Sequence, residues 1–158
     1  MSGMSKIVKT ITNISIPFIL IYGIYVIAHG HLTPGGGFQG GAVVASGLVM
    51  VLVAYGSIWT MEKIKEKNLT MLESLGAFCF ILLAFLGLLF GSVFFNNYLV
   101  GSNSIFGTVP AAGSGLADIN TAGVIPLMNF AVGLKVIAGL FAIVLVMAYA
   151  ISKKEEKA

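Results

Sequence analysis

The sequence predicts an all-α integral membrane protein, a bundle of four transmembrane helices with both termini cytoplasmic. Three observations predict it. Of 158 residues, 58% are hydrophobic and only 9% are charged, whereas ordinary soluble domains carry roughly 25% charged residues. Four apolar runs each reach the roughly 20 residues that a spanning helix needs. Eight of the nine lysines gather in three short segments, which an even number of spans places on one side.

The spans are taken in order. The first covers about Ile7 to Ala28, the second about Phe38 to Thr60, the third about Thr70 to Phe95 and the fourth about Val124 to Ile151. Lipid offers no partner for free backbone N–H and C=O groups, so each span must be helical. The apolar core of the first span exceeds the roughly 7–15 residues of a signal peptide, and no A-x-A site follows it, so it reads as a retained helix. Pro17 lies inside it and predicts a bend, with Thr10, Thr12, Asn13 and Ser15 as partners for the freed carbonyl. The whole chain reads as one transmembrane domain, with no separate soluble unit.

Lys6 and Lys9 precede the first span, Lys63, Lys65 and Lys67 join the second to the third, and Lys153, Lys154 and Lys157 follow the fourth. The connections 29–37 and 96–123 hold neither Lys nor Arg. This asymmetry makes them outer loops of a multi-pass protein of the cell membrane. The lysines flank apolar segments, so the net charge of +3 does not predict nucleic-acid binding. Cys79, the single cysteine, reads as a small apolar side chain.

Small residues let helices approach closely in lipid. Gly37, Gly41 and Ala45 line one face of the second span, Ala77, Ala84 and Gly91 the third, and Ala131, Ala138, Gly139 and Ala142 the fourth. Gly87 and Gly91 form a GxxxG pair. Any one stripe is expected to serve packing within the bundle, whereas small faces on three helices together exceed what one small bundle needs and lean toward assembly with other subunits. The loop 96–123 is rich in Gly, Ser, Asn and Ala, and its length suits a functional or mobile segment. Within it, Asp118 is expected to cap the start of the fourth span.

Lys135 is the most informative single residue. It lies eleven residues into the fourth span, about 16 Å deep at 1.5 Å per residue. A central membrane lysine costs about 2.5–3.5 kcal/mol on insertion scales, and intramembrane charges mark ion or proton pathways unless they are structural pairs. Glu73, one turn into the third span, is either a favourable charge at a helix N-terminus or a pathway residue. Its apparent depth differs from that of Lys135. The expectation is therefore that the two do not pair and that Lys135 meets a carboxylate on a partner chain.

The stretch His29–Gly41 joins the first two spans and contains both histidines. Gly35, Gly37 and Gly40 satisfy G-x-G-x-x-G, but no strand precedes them and a membrane span follows, so a dinucleotide site is excluded. His29 and His31 have no nearby Cys or carboxylate, so no metal site is expected. Glycines permit a tight turn, and imidazole is the side chain that ordinarily titrates nearest neutral pH. His29 and His31 are therefore candidates for an outer proton mouth, with a packing role as the alternative.

The run Gly30-His31-Leu32-Thr33-Pro34-Gly35-Gly36-Gly37-Phe38-Gln39-Gly40-Gly41 resembles the GHxxPGGGFxGG signature of the MnhB/MrpB family. Four spans, a basic connection and a long glycine-rich loop extend the likeness over nearly the whole chain. The loop motif that carries it is Pro34, Gly35, Gly36, Gly37, Phe38, Gly40 and Gly41. The resemblance implies a non-catalytic subunit of an Mrp-type sodium/proton antiporter module, with other membrane subunits, the bilayer, Na+ and H+ as partners and no cofactor of its own. Related modules occur in archaeal membrane-bound hydrogenases and sulfur reductases, which the run Pro126–Val136 resembles more. A purely structural scaffold is the competing reading. A self-sufficient transporter is disfavoured by the single deep charge and the lack of duplicated broken helices.

Overall fold

The computed structural model describes residues 3–102, 104–109 and 120–156. Its helices follow in order as α1 (Lys6–Ala28), α2 (Gly36–Tyr55), α3 (Ser57–Lys63), α4 (Glu66–Gly91) and α5 (Ile125–Glu156). α1, α2, α4 and the Ile125–Lys154 part of α5 are long and apolar enough to cross a membrane. The chain is thus an all-α, multi-pass membrane protein. Among the described residues, extended pairing is limited to one bridge between Thr108 and Thr121.

The four long helices pack in the order α1–α2–α5–α4. α5 is central, with α2 on one side and α4 on the other, and α1 packs mainly on α2. Glycine makes each of these contacts close. A methyl group built on Gly40 would stand 2.6 Å from the Gly23 carbonyl oxygen, across the α1–α2 contact. One on Gly41 would stand 2.9 Å from the Gly133 carbonyl oxygen, across α2–α5. One on Gly76 would stand 2.7 Å from the Ala131 carbonyl oxygen, across α4–α5. These gaps are too small for any side chain, so the backbones meet directly. The apolar core collects where α2, α4 and α5 converge, around Leu52, Leu69, Phe141 and Leu145.

Of the two uses expected for the small faces, packing within the chain takes most of them. Ala45, Ala84, Ala131 and Ala138 are buried. The Gly87/Gly91 pair receives the turn that follows α4 rather than another helix: Asn96 Nδ2 donates to the Gly91 carbonyl at 2.5 Å, and a methyl on Gly87 would stand 2.6 Å from the Asn96 amide nitrogen. What stays exposed is large and apolar, including Ile14, Phe18 and Ile21 on α1 and Phe78, Phe85 and Leu89 on α4.

Several helix bounds differ from the apolar runs. α2 begins at Gly36, inside the stretch expected to be loop, because Gly35 and Gly36 turn the chain at φ 115° and 48°. The second run then breaks at Gly56, where φ is 90° and ψ 157°. Thr60, fully buried, donates twice to the Gly56 carbonyl, from its amide at 3.2 Å and from Oγ1 at 2.8 Å, and so ties the start of α3 to the break. α4 starts at Glu66 and stops at Gly91, followed by the left-handed Ser92. Pro17 sits within a continuous α1, whose Asn13 side chain accepts from the Tyr55 hydroxyl at 2.9 Å.

The three basic segments converge on one end. Met4 N donates to Ala54 O, Lys9 lies over the Tyr55 ring, and Ser57 and Ser152 share a buried hydroxyl contact at 2.7 Å. At the other end, Asn97 braces the approach to α5, accepting from Val124 N at 2.8 Å and donating to Ala122 O at 2.9 Å. The capping role expected of Asp118 lies outside the described residues.

Candidate ion-pathway residues

α4 and α5 bring Glu73 and Lys135 together. Lys135 Nζ stands 3.9 Å from Glu73 Oε1. The expectation that these two residues lie at different depths is therefore corrected, and the carboxylate of Lys135 is found within the same chain. The physical reason is an offset between the helices. Gly139 of α5 lies opposite Glu73, since a methyl there would stand 3.6 Å from the carboxylate carbon. Gly139 is near the middle of the 32-residue α5, about 21 Å from Ile125 and about 26 Å from Glu156 at 1.5 Å per residue. α5 therefore runs well past the start of α4. Counting residues from each apolar edge places the two charges on scales with different origins.

Gly76 makes the pairing possible. A methyl on it would stand 2.8 Å from the Lys135 amide nitrogen and 3.0 Å from Lys135 Cβ. Its bare backbone lets α4 lie against α5 where Lys135 leaves the helix. The contact is still loose. Charge-assisted hydrogen bonds run to about 2.7–2.9 Å, and 3.9 Å leaves both groups with unfilled capacity. The side chains are 50% and 43% exposed. The chain thus carries an ion pair that is half open on the flank of two span-length helices.

The histidine loop is built differently. His29 ends α1, with its amide donating to Tyr25 O at 2.8 Å and its carbonyl accepting from Leu32 N at 2.9 Å. Its ring stacks on Tyr25 with centroids 5.0 Å apart. Gly36, Gly37, Gly40 and Gly41 are buried, whereas Pro34 and Phe38 are exposed. The motif therefore has an inner glycine face and an outer apolar face. The inner face receives Asn129 of α5. Methyl groups on Gly30 and Gly36 would each stand 3.0 Å from its side-chain amide, and one on Gly37 would overlap its carbonyl. His31 Nδ1 and Nε2, His29 Nδ1 and Asn129 Nδ2 are all buried without a hydrogen-bond partner.

Asn129, Gly76 and Asn97 escape the sequence reading. Only Asn129 carried a usable signal, as an amide inside an apolar span. Lys135 and Asn129 lie on one helix but serve different neighbours, α4 and the glycine loop. Among the described residues, no group of three His, Cys, Asp or Glu side chains is placed to hold a metal ion.

Residues 7–142 match the family described as a domain related to the MnhB subunit of Na+/H+ antiporter. The chain belongs to this family. It is 40% identical over 145 residues to an uncharacterised protein of Methanocaldococcus jannaschii, covering 85% of this chain and 51% of that protein. It is 28% identical over 92 residues to a putative antiporter subunit mnhB2 of Staphylococcus aureus strain Newman, covering 58% of this chain and 64% of the relative. The fold resembles a chain in the structure of the membrane-bound sulfane sulfur reductase, an archaeal respiratory membrane complex. That match has a TM-score of 0.67 and 27% identity, and covers 93% of this chain and 61% of the other. The chain therefore spans about half to two thirds of the length of these relatives.

Proposed function

We propose that the chain is a non-catalytic membrane subunit of a multisubunit sodium/proton antiporter module within a respiratory-type membrane complex. It contributes to ion translocation as well as to assembly. The three lysine-bearing segments lie in the cytoplasm, and the histidine loop faces the outer side. The observation that carries the translocation role is the half-open Glu73–Lys135 pair. A charge pair kept only for stability would be expected to close to hydrogen-bond length and to be covered by its own chain. This one offers both charges to whatever lies beside α4 and α5, which suits a group that exchanges partners as an ion or proton passes. Family membership supports the antiporter setting, and the likeness to a chain of the sulfane sulfur reductase supports a redox-driven parent complex.

The scaffold reading draws on the glycine-mediated contacts, which make a firm slab of helices for neighbours to grip. The two readings part on one experiment. In the assembled complex, Lys135→Ala lowers sodium-dependent proton transport per complex if the pair takes part in translocation. Under the scaffold reading it lowers the yield of complex and leaves transport per complex intact.

A further inference from the structure

We infer that Lys6, Lys9, Tyr55 and Trp59 form a binding site for the phosphate of an anionic membrane lipid, at the corner where the start of α1 meets the junction of α2 and α3. Three helices build this corner. Lys9 Nζ of α1 lies 5.4 Å from the centroid of the Tyr55 ring, at the end of α2. That ring stacks on Trp59 of α3 with centroids 4.7 Å apart. The Tyr55 hydroxyl donates back to Asn13 Oδ1 of α1 at 2.9 Å. The segment before α1 packs against the same place. Met4 N donates to Ala54 O at 2.9 Å, and a methyl group on Gly3 would stand 3.1 Å from Lys9 Cε.

The corner holds a cation in position without neutralising it. An aromatic face attracts an ammonium through its quadrupole, yet it brings no net charge. The ring takes one side of the ammonium and leaves the remaining N–H donors for another acceptor. Among the described residues, neither Lys6 nor Lys9 forms an ion pair. Lys6 is exposed and three residues before Lys9, a spacing that makes side chains neighbours on a helix. The chain has no Asp or Glu before Glu62, and that exposed residue is followed in α3 by Lys63. The corner therefore keeps a net positive charge.

The surroundings select the anion. α1 and α2 are long and apolar enough to cross a membrane, so the lysine-bearing ends of both stand at the level of lipid headgroups. Trp and Tyr collect at that level, and Trp59 is 41% exposed. Past the lysines, α1 runs on with Ile14, Phe18 and Ile21 exposed. A soluble anion would meet the lysines and leave this apolar surface bare. A lipid meets both, with its phosphate at the ammonium groups and its acyl chains against α1. The site uses neither Glu73 nor Lys135 and does not depend on that pair carrying ions.

The test uses the assembled complex in phosphatidylcholine vesicles that contain a photoreactive phosphatidylglycerol, with a diazirine beside the headgroup. A phosphatidylcholine of the same design is the comparison, and cross-links are mapped by mass spectrometry. The anionic probe is expected to label residues 3–13 and 55–63 roughly tenfold more than the zwitterionic one. Lys9→Gln is expected to cut that preference by roughly fivefold, the factor that corresponds to about 1 kcal/mol for one lysine near an anionic surface, and Lys9→Arg to keep it. Inorganic phosphate is expected to compete no better than chloride of equal ionic strength. Equal labelling by the two probes in the unaltered complex overturns the proposal whether or not the variants assemble. So does labelling that Lys9→Gln leaves unchanged, displacement of the probe by inorganic phosphate, or cross-linking of this corner to a neighbouring subunit in place of lipid.

Discussion

The two polar sites on α5 solve opposite problems. Around Asn129, glycines bring backbone so close that the polar atoms are sealed from outside, and their hydrogen-bonding capacity is left over inside. Around Lys135, a single glycine on α4 brings the helices together, yet the charges remain half open to the flank. The first site is enclosed and is built from imidazole, amide and backbone groups. The second is charged and faces outward. A residue that must stay hidden from lipid can be covered by its own chain or by another. The contrast between Asn129 and Lys135 separates a site that this chain covers by itself from one that it leaves half open.

That contrast can be broken most severely at the enclosed site. Gly37→Val would drive its side chain into the Asn129 carbonyl. Overpacking typically costs about 1–3 kcal/mol, and in a small subunit this predicts loss of most assembled complex, read by size-exclusion chromatography of the solubilised membranes. Gly76→Val forces α4 from α5 beside Lys135. It is expected to reduce both yield and transport, because it disturbs packing and charge pairing together. Glu73→Gln should leave assembly near normal and lower sodium-driven proton transport by about tenfold, equivalent to about 1.4 kcal/mol. The smallest effect is expected from Ser152→Ala, which removes the buried hydroxyl contact to Ser57 far from both sites. It should cost about 0.5–1.5 kcal/mol, seen as a modest fall in Tm with transport unchanged.

Much of this architecture was legible from apolar run length. Four runs gave four long helices, since lipid permits little else. The end bounds were not legible. A glycine in an apolar run reads as a packing surface, yet Gly56 breaks the helix and Gly36 begins one through backbone angles that composition does not reveal. Lys135 stood out because charge in a span is costly. Its partner was hidden by the assumption that every helix begins at one plane, whereas α5 overshoots α4 at the lysine-bearing end. The histidine loop announced itself by motif. Asn129, which packs into it, lies about ninety to a hundred residues away and outside the glycine motif, so only the fold joins them.

The open Glu73–Lys135 pair is proposed to serve translocation rather than assembly. The direct measurement is sodium-driven proton transport in inverted membrane vesicles, normalised to assembled complex, for Lys135→Met, Glu73→Gln and the double substitution. Each single change is expected to lower transport by about tenfold at near-normal yield, and the double change to be no worse than either, because the pair acts as one unit. Transport per complex equal to that of the unaltered protein in all three would contradict it.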